Sequence, residues 1–320
     1  MRDETIDRRP NDGPGLAMRL TVAGIWVWIL VWLTTGDTLR FFGYVNALGF
    51  FWGLAATIAT IALLLRRSFI PAAIGAAAAM TAFSHGRLPV VSGYFSGAPA
   101  DAPPIRVVTA SLRTLNRDMA DAARTLAAYR PDIVIAQEVS DLPAFMRVLD
   151  ATTRAHWNVA NRGNEIVASR WPVSSPDPRR DFLRADISAP GGPITVWNIH
   201  AAKTYSDIIT IRLQFANLLD DIGTHGATRI VAGDFNATPW NESYAAMAGV
   251  LTDTFAVAGW GPGFTFPTKA RRLGAAFPYL RIDHVFVDPS LRPIGAFVGQ
   301  ASAGADHRPV IVDLARTRAK

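Results

Sequence analysis

Two long apolar runs near the start, Leu16–Thr35 and Tyr44–Leu65, constrain this 320-residue chain more than any other feature. Arg19 is the only charge in the first run, and Asn46 is the only strongly polar residue in the second. Each is close to the ~20 residues that cross a bilayer. Trp26, Trp28, Trp32, Phe41, Phe42 and Tyr44 supply aromatic rings of the kind that favour membrane interfaces. The first run does not read as a signal peptide, because acidic residues dilute its basic start and a second run follows. A third segment, Phe69–Phe83, is shorter, rich in alanine and holds Pro71 and Gly75. It too is expected to span. Arg2, Arg8, Arg9 and Arg19 precede the first run, and Arg66-Arg67 follow the second. Basic residues favour the cytoplasmic side, so three spans place everything beyond them outside the cell membrane. If Phe69–Phe83 only lies on the surface, the rest of the chain is cytoplasmic.

The chain therefore divides into residues 1–85, a tail with two to three membrane helices; residues 86–104, a linker rich in Gly, Pro and Ser; and residues 105–320. The chain contains no cysteine, which excludes disulfides and thiolate metal sites. Eight Lys/Arg against six Asp/Glu up to residue 104 give +2, which leaves 24 against 20, or +4, for the remainder. That mild excess is a weak footing for tight duplex binding.

From Ile105 onward the pattern is that of an α/β domain. Strands are expected at Ile105–Ala110, Ile133–Ala136, Glu165–Ala168, Phe182–Ile187, Ile194–Asn198, residues 229–236, Ile282–Val287 and Val310–Leu314. Helices are expected at Asp118–Tyr129, Leu142–Leu149 and Ser206–Ile222. Strands outnumber helices and often follow one another directly. This favours two packed sheets with outer helices over a simple wound sheet.

The strands share one property. Most begin or end in a polar group that a core has no use for: Glu138, His200, Asp234 with Asn236, Asp283, and Asp306 with His307. In Gly233-Asp234-Phe235-Asn236, alternation along an extended strand would point Asp234 and Asn236 to one face, with Phe235 behind. Polar ends gathered from separate strands indicate one site. The set offers hard oxygens and imidazoles, which suits Mg2+ or Mn2+ and a phosphate substrate.

Asp132–Val139 (DIVIAQEV), Asn164–Pro172 (NEIVASRWP), Trp197–His200, Gly233–Pro239 (GDFNATP), Arg281–Val287 (RIDHVFV) and Ala305–Pro309 (ADHRP) follow the strand Ile105–Leu112 in order. The series resembles the endonuclease/exonuclease/phosphatase superfamily over about Ile105 to Leu314. With the apolar start, it is similar to that superfamily's bacterial membrane-anchored branch. The resemblance implies a four-layered α/β sandwich of the DNase I-like type, preceded by transmembrane helices. It implies a divalent-metal-dependent hydrolase of phosphate esters. Glu138, Asp306 and Ser111 would serve the metal. Asp234 would activate water, Asn236 would hold the phosphoryl group, and His307 would sit at the phosphate with its ring fixed by Asp283. His200 would stand near the leaving group. Ser111 occupies a place where the superfamily normally has asparagine, and Asn116 offers a carboxamide nearby.

The anchored arrangement points to a lipid bilayer as partner and to a lipid-linked or small phosphate ester as substrate. Nuclease activity is the alternative and needs a basic groove, to which Arg179-Arg180 and Arg271-Arg272 could contribute. A tethered binding protein without activity is a third reading, with Ser111 as its only support.

Overall fold

The computed structural model describes residues 13–39, 41–85, 103–174, 181–203, 208–226, 228–270 and 277–317. Most of the expected linker and the pairs Arg179-Arg180 and Arg271-Arg272 lie outside the described residues. The chain begins with helices α1 (Gly13–Thr35), α2 (Phe42–Ala47), α3 (Gly49–Leu65) and α4 (Phe69–His85). Among the described residues, α1 alone is both long and apolar enough to cross a membrane, while α3 and α4 are shorter apolar helices. The expected run Tyr44–Leu65 is divided at Leu48, because Asn46 is drawn away into a buried polar contact and Trp52 Nε1 donates to the Val45 carbonyl at 2.9 Å. Pro71 does not break α4, because it lies in the first turn, where a missing N–H costs nothing.

Small residues let these helices approach closely. Phe83 covers Gly53, and Thr60 and Val22 cover Gly75. Ala56, Ala59, Ala72, Ala78 and Ala82 are buried between helices. Arg66 approaches Gly15, so the start of α1 lies beside the end of α3. Outward-facing Leu20, Val27, Leu30, Ile58, Ile61 and Ile70 are exposed.

The remainder forms two six-stranded sheets. The first has the order β11 (Leu291–Val298), β12 (Val310–Arg316), β1 (Ile105–Ser111), β2 (Ile133–Gln137), β4 (Glu165–Ser169), β3 (Asn158–Arg162). The second runs β5 (Val173–Ser174), β6 (Leu183–Ile187), β7 (Ile194–His200), β8 (Thr228–Asp234), β10 (Asp283–Val287), β9 (Thr252–Asp253). Val107, Ile133, Ile135 and Val167 of one sheet meet Leu183, Val196, Ile230 and Val285 of the other in a shared core. The outer face of the first sheet is covered by α5 (Met119–Ala127) and α6 (Leu142–Thr153), and that of the second by α7 (Ile208–Gly223) and α8 (Glu242–Ala248). The short helix α9 (Thr254–Ala258) lies at the edge of the inter-sheet core. This is the four-layered α/β sandwich expected from the sequence, with an apolar helix before it.

The bundle and the sandwich are joined by specific contacts. Trp32 Nε1 donates to the Trp240 carbonyl, and Trp240 Nε1 donates to the Ala82 carbonyl, both at 2.9 Å. Phe264 lies against Phe50 and Phe51. Between them, buried Asp37 accepts from Asn46 Nδ2 at 2.8 Å, Asn241 Nδ2 at 3.1 Å and the Glu242 N–H at 2.8 Å.

Candidate active site

The strand register brings the polar ends together. β7 and β8 run parallel with His200 opposite Asp234, and β8 and β10 run antiparallel with Asp234 opposite Asp283. Glu138 follows directly on β2, and Asp306-His307 lie just before β12. The two sheets are tied beside this rim by Asn198, whose carbonyl oxygen accepts from Gln137 Nε2 at 2.6 Å while its amide donates to the Ala136 and Ile166 carbonyls at 2.9 Å. Sequence reasoning missed this bridge, because Asn198 reads only as the end of a strand.

Gly233 is required by close approach: its φ is +140°, and a Cβ there would lie 2.0 Å from the Ile199 carbonyl oxygen. The strand then stops at Asp234, which corrects the expectation of a strand through residue 236. Asn236 is left-handed (φ 46°), and its N–H bonds the Asp234 carboxylate at 2.8 Å. The two side chains therefore meet through a turn rather than through strand alternation. Asn236 Nδ2 also donates to the Ala201 carbonyl at 2.8 Å.

Glu138 is left-handed too (φ 59°), an uncommon state for a long side chain and one that concentrates at functional sites. Its carboxylate accepts from both the N–H and the hydroxyl of Thr114, and Ser111 Oγ lies 3.4 Å away. Burial alone would raise its pKa, but the Thr114 hydrogen bonds and the charges of His200 and His307 hold it below the usual range. Ser111 is wholly buried, so its hydroxyl reaches Glu138 rather than the open space. Asn116 turns toward Gly304 and its carboxamide oxygen accepts from the Asp118 N–H at 3.0 Å, so that oxygen is engaged elsewhere.

His307 is clamped between carboxylates. Its Nδ1 lies 2.8 Å from Asp283, and its Nε2 lies 3.7 Å from Asp234. Burial would lower the pKa of this imidazole, but the charges of Asp283 and Asp234 outweigh it and push it up to about 10. Burial and the Asp283 charge raise the pKa of Asp234, against the opposing pull of His307 and His200. His200 Nε2 lies 3.6 Å from Glu138 and 3.8 Å from Asp234, so it bridges the two sheets' contributions. Behind this rim, buried Arg281 pairs with Asp253 at 2.7 Å, and His284 Nε2 hydrogen-bonds the Ala237 carbonyl at 2.8 Å. These two members of the RIDHVFV motif hold the fold.

Glu138, His200, Lys203, Asp234, Asn236, Asp306 and His307 line one end of a cavity of about 460 Å3. Three carboxylates there would repel an anionic ester unless a cation lay between them. The donors are oxygens and imidazole, which fits a hard divalent ion. Asp234, Asp283 and His307 also present ligand atoms within 4.8 Å of one another. In that trio the imidazole lies beside both carboxylates, and Glu138 and Asp306 line the same cavity.

A two-sheet sandwich with acids and imidazoles at one rim is an arrangement suited to the hydrolysis of phosphate esters. The sequence model of the Endonuclease/Exonuclease/phosphatase family matches residues 101–307, and the chain belongs to this family. No curated protein matches it in sequence. Among solved structures, the fold is similar to the endonuclease/exonuclease/phosphatase from Bacteroides vulgatus, at 19% identity and TM-score 0.54, covering 68% of this chain and 100% of that one. It is also similar to D. rerio TDP2 complexed with single-strand DNA product, at 19% identity and TM-score 0.53, covering 66% and 98%. A functionally unknown conserved protein from Enterococcus faecalis V583 aligns at 18% identity and TM-score 0.51, covering 67% and 100%.

Proposed function

We propose that the protein is a membrane-anchored phosphoesterase that hydrolyses a lipid-linked or small phosphate ester with Mg2+ or Mn2+. The observation that supports this reading is the cavity itself: its charged lining belongs to the sandwich, and its apolar lining includes Phe41, Tyr44 and Ala47 of the N-terminal helical segment. The bundle's exposed leucines and isoleucines form an apolar surface of the kind that marks a membrane or partner contact. The 17-residue helices α3 and α4 stand at the short limit of about 17–25 residues for a span. Exposed Trp260 and Phe277 lie on the loops that carry Phe264 and Tyr279 beside the bundle, where interfacial aromatic residues belong. With Arg66-Arg67 at the far end of the bundle, the positive-inside rule assigns the sandwich to the extracytoplasmic side.

Glu138 and Asp306 would hold the cation. When bound, it would neutralise the phosphoryl oxygens and offset the carboxylates around them. Asp234, with its raised pKa, orients the attacking water and accepts its proton. Asn236, anchored on Ala201, holds a phosphoryl oxygen. His307, kept charged by Asp283, faces the negative charge that develops as water adds to phosphorus and the ester P–O bond breaks. His200 stands where the leaving oxygen takes up a proton. Ser111 and Thr114 fix the Glu138 carboxylate from behind.

The test is a substrate panel on the full chain in detergent with Mg2+: isoprenyl diphosphate, phosphatidic acid, inositol phosphates, p-nitrophenyl phosphate and DNA. Hydrolysis of a lipid phosphate above the soluble substrates is expected. Salt-sensitive cleavage of DNA alone would establish the nuclease alternative and overturn this reading.

A further inference from the structure

The apolar half of the cavity is built by two parts of the chain more than 200 residues apart in sequence. Phe41, Tyr44 and Ala47 come from the segment between α1 and α3; Phe266, Tyr279 and Leu280 come from the sandwich. The cavity of about 460 Å3 falls within the ~300–1,000 Å3 common for ligand sites, and its aromatic part is continuous with the acidic part. Three further observations set this wall apart from ordinary packing. Phe41 is 58% exposed and Tyr44 is 42% exposed, although both stand beside a well-packed joint. Phe41 is also left-handed (φ 62°), an uncommon conformation for a bulky residue and one that concentrates at ligand clamps and active sites. Finally, the backbone carrying it is fixed: Asp37 and Asn46, on either side, are buried in the joint to Asn241 and Glu242, directly after the GDFNATP motif that holds Asp234 and Asn236.

We propose that the N-terminal segment is part of the substrate site, and that Phe41, Tyr44 and Ala47 are specificity-determining residues that take the hydrocarbon chain next to the scissile phosphate. This inference rests on the phosphoesterase reading above and gives the N-terminal segment a share, with Tyr279 and Leu280, in selecting the leaving group. The phosphoryl group lies against Asn236 and His307. The first carbons of the chain lie against Tyr44, Tyr279 and Leu280, and the rest leaves past Phe41 along the bundle. The helices therefore do more than tether: they complete the cavity.

The experiment compares kcat/KM of the full chain in micelles for farnesyl monophosphate, phosphatidic acid and p-nitrophenyl phosphate. The two lipids distinguish an isoprenoid from an acyl source. The variants are Phe41→Ala with Tyr44→Ala, and separately Ala47→Trp, which fills the apolar end without removing any group. Both are expected to lower the lipid-to-small-ester ratio at least about tenfold, the discrimination that a few apolar contacts supply. Measurable p-nitrophenyl phosphate turnover by the same samples establishes that they are folded. Equal losses on lipid and small ester, or an unchanged ratio, would overturn the proposed wall while leaving the phosphoesterase reading in place. A wild-type chain that cleaves p-nitrophenyl phosphate but neither lipid would overturn the wall alone, and one that cleaves none of the three would overturn both.

Discussion

Replacing His307 with alanine probes the site at its most constrained point. The ring is buried, tilted against Phe266 at 4.7 Å between centroids, and held 2.8 Å from Asp283 and 3.7 Å from Asp234. If it presents a fixed positive charge to the phosphoryl oxygens, its loss removes one preorganised contact made mainly in the transition state. Such a contact contributes about 3–4 kcal/mol, so kcat should fall about 100-fold to 1,000-fold with KM little changed. Asp283→Asn separates charge from shape. The wild-type pKa of His307 is raised to about 10, so the active imidazolium persists through neutral pH and is lost only as pH rises through that value. Removing the Asp283 carboxylate should lower this pKa by about 1–2 units and bring the alkaline limb of the pH–rate profile down with it. The assay is steady-state hydrolysis in saturating Mg2+ from pH 6 to 10.5. An unchanged rate in His307→Ala would refute the argument and leave His200 as the histidine to test. So would an alkaline limb that stays in place, or moves upward, in Asp283→Asn.

Three further outcomes are expected. EDTA should abolish hydrolysis and Mg2+ restore it; Glu138→Ala should lose about 100-fold at limiting metal, with partial rescue by excess, and Ser111→Ala should need about tenfold more Mg2+ for half-maximal rate. Asp37→Ala leaves three buried donors without their acceptor, on Asn46, Asn241 and Glu242. At about 1–3 kcal/mol for an abandoned group, with partial relaxation, it should destabilise the detergent-solubilised protein by about 2–5 kcal/mol in thermal unfolding, and Asp37→Asn by less. His284, whose pKa is lowered to about 4 by burial first and by Arg281 second, takes up a proton more readily unfolded than folded. Its contribution is complete above the unfolded pKa of about 6.5 and is lost as pH falls from there toward 4, amounting to about 3 kcal/mol; His284→Gln should flatten unfolding free energy over that window.

The inner strands, and two packed sheets with outer helices, were legible in the sequence because those strands are continuous apolar runs, such as Ile133–Ala136, that stop at polar residues. The elements that reasoning overlooked lack that signature. β3 reads Asn-Val-Ala-Asn-Arg and lies at a sheet edge, while β11 contains Pro293 and Gly295, where its register to β12 shifts. The site residues could be named from the polar ends of strands, and the structure gathers Glu138, His200, Asp234, Asn236, Asp306 and His307 around one cavity. Backbone state could not be read in the same way. Nothing about a glutamate announces a positive φ, so the turn that aims Glu138 at Thr114 and His200 emerges only in three dimensions. The joint was equally hidden: Asp37 reads as a loop acid between two apolar runs, and its partner Asn241 lies 204 residues away.

The contacts of Trp240 with Trp32 and Ala82 hold the sandwich on the bundle at a set angle rather than on a string. In the proposed membrane setting, this fixes the height of His307 above the lipid headgroups. A substrate would then arrive by lateral diffusion, and the velocity would follow its mole fraction in the bilayer rather than its amount per volume of solution. Adding inert lipid or detergent at constant total substrate would slow the enzyme by surface dilution. An enzyme whose catalytic half swung freely from a flexible tether could instead reach substrate on neighbouring surfaces and would escape that law.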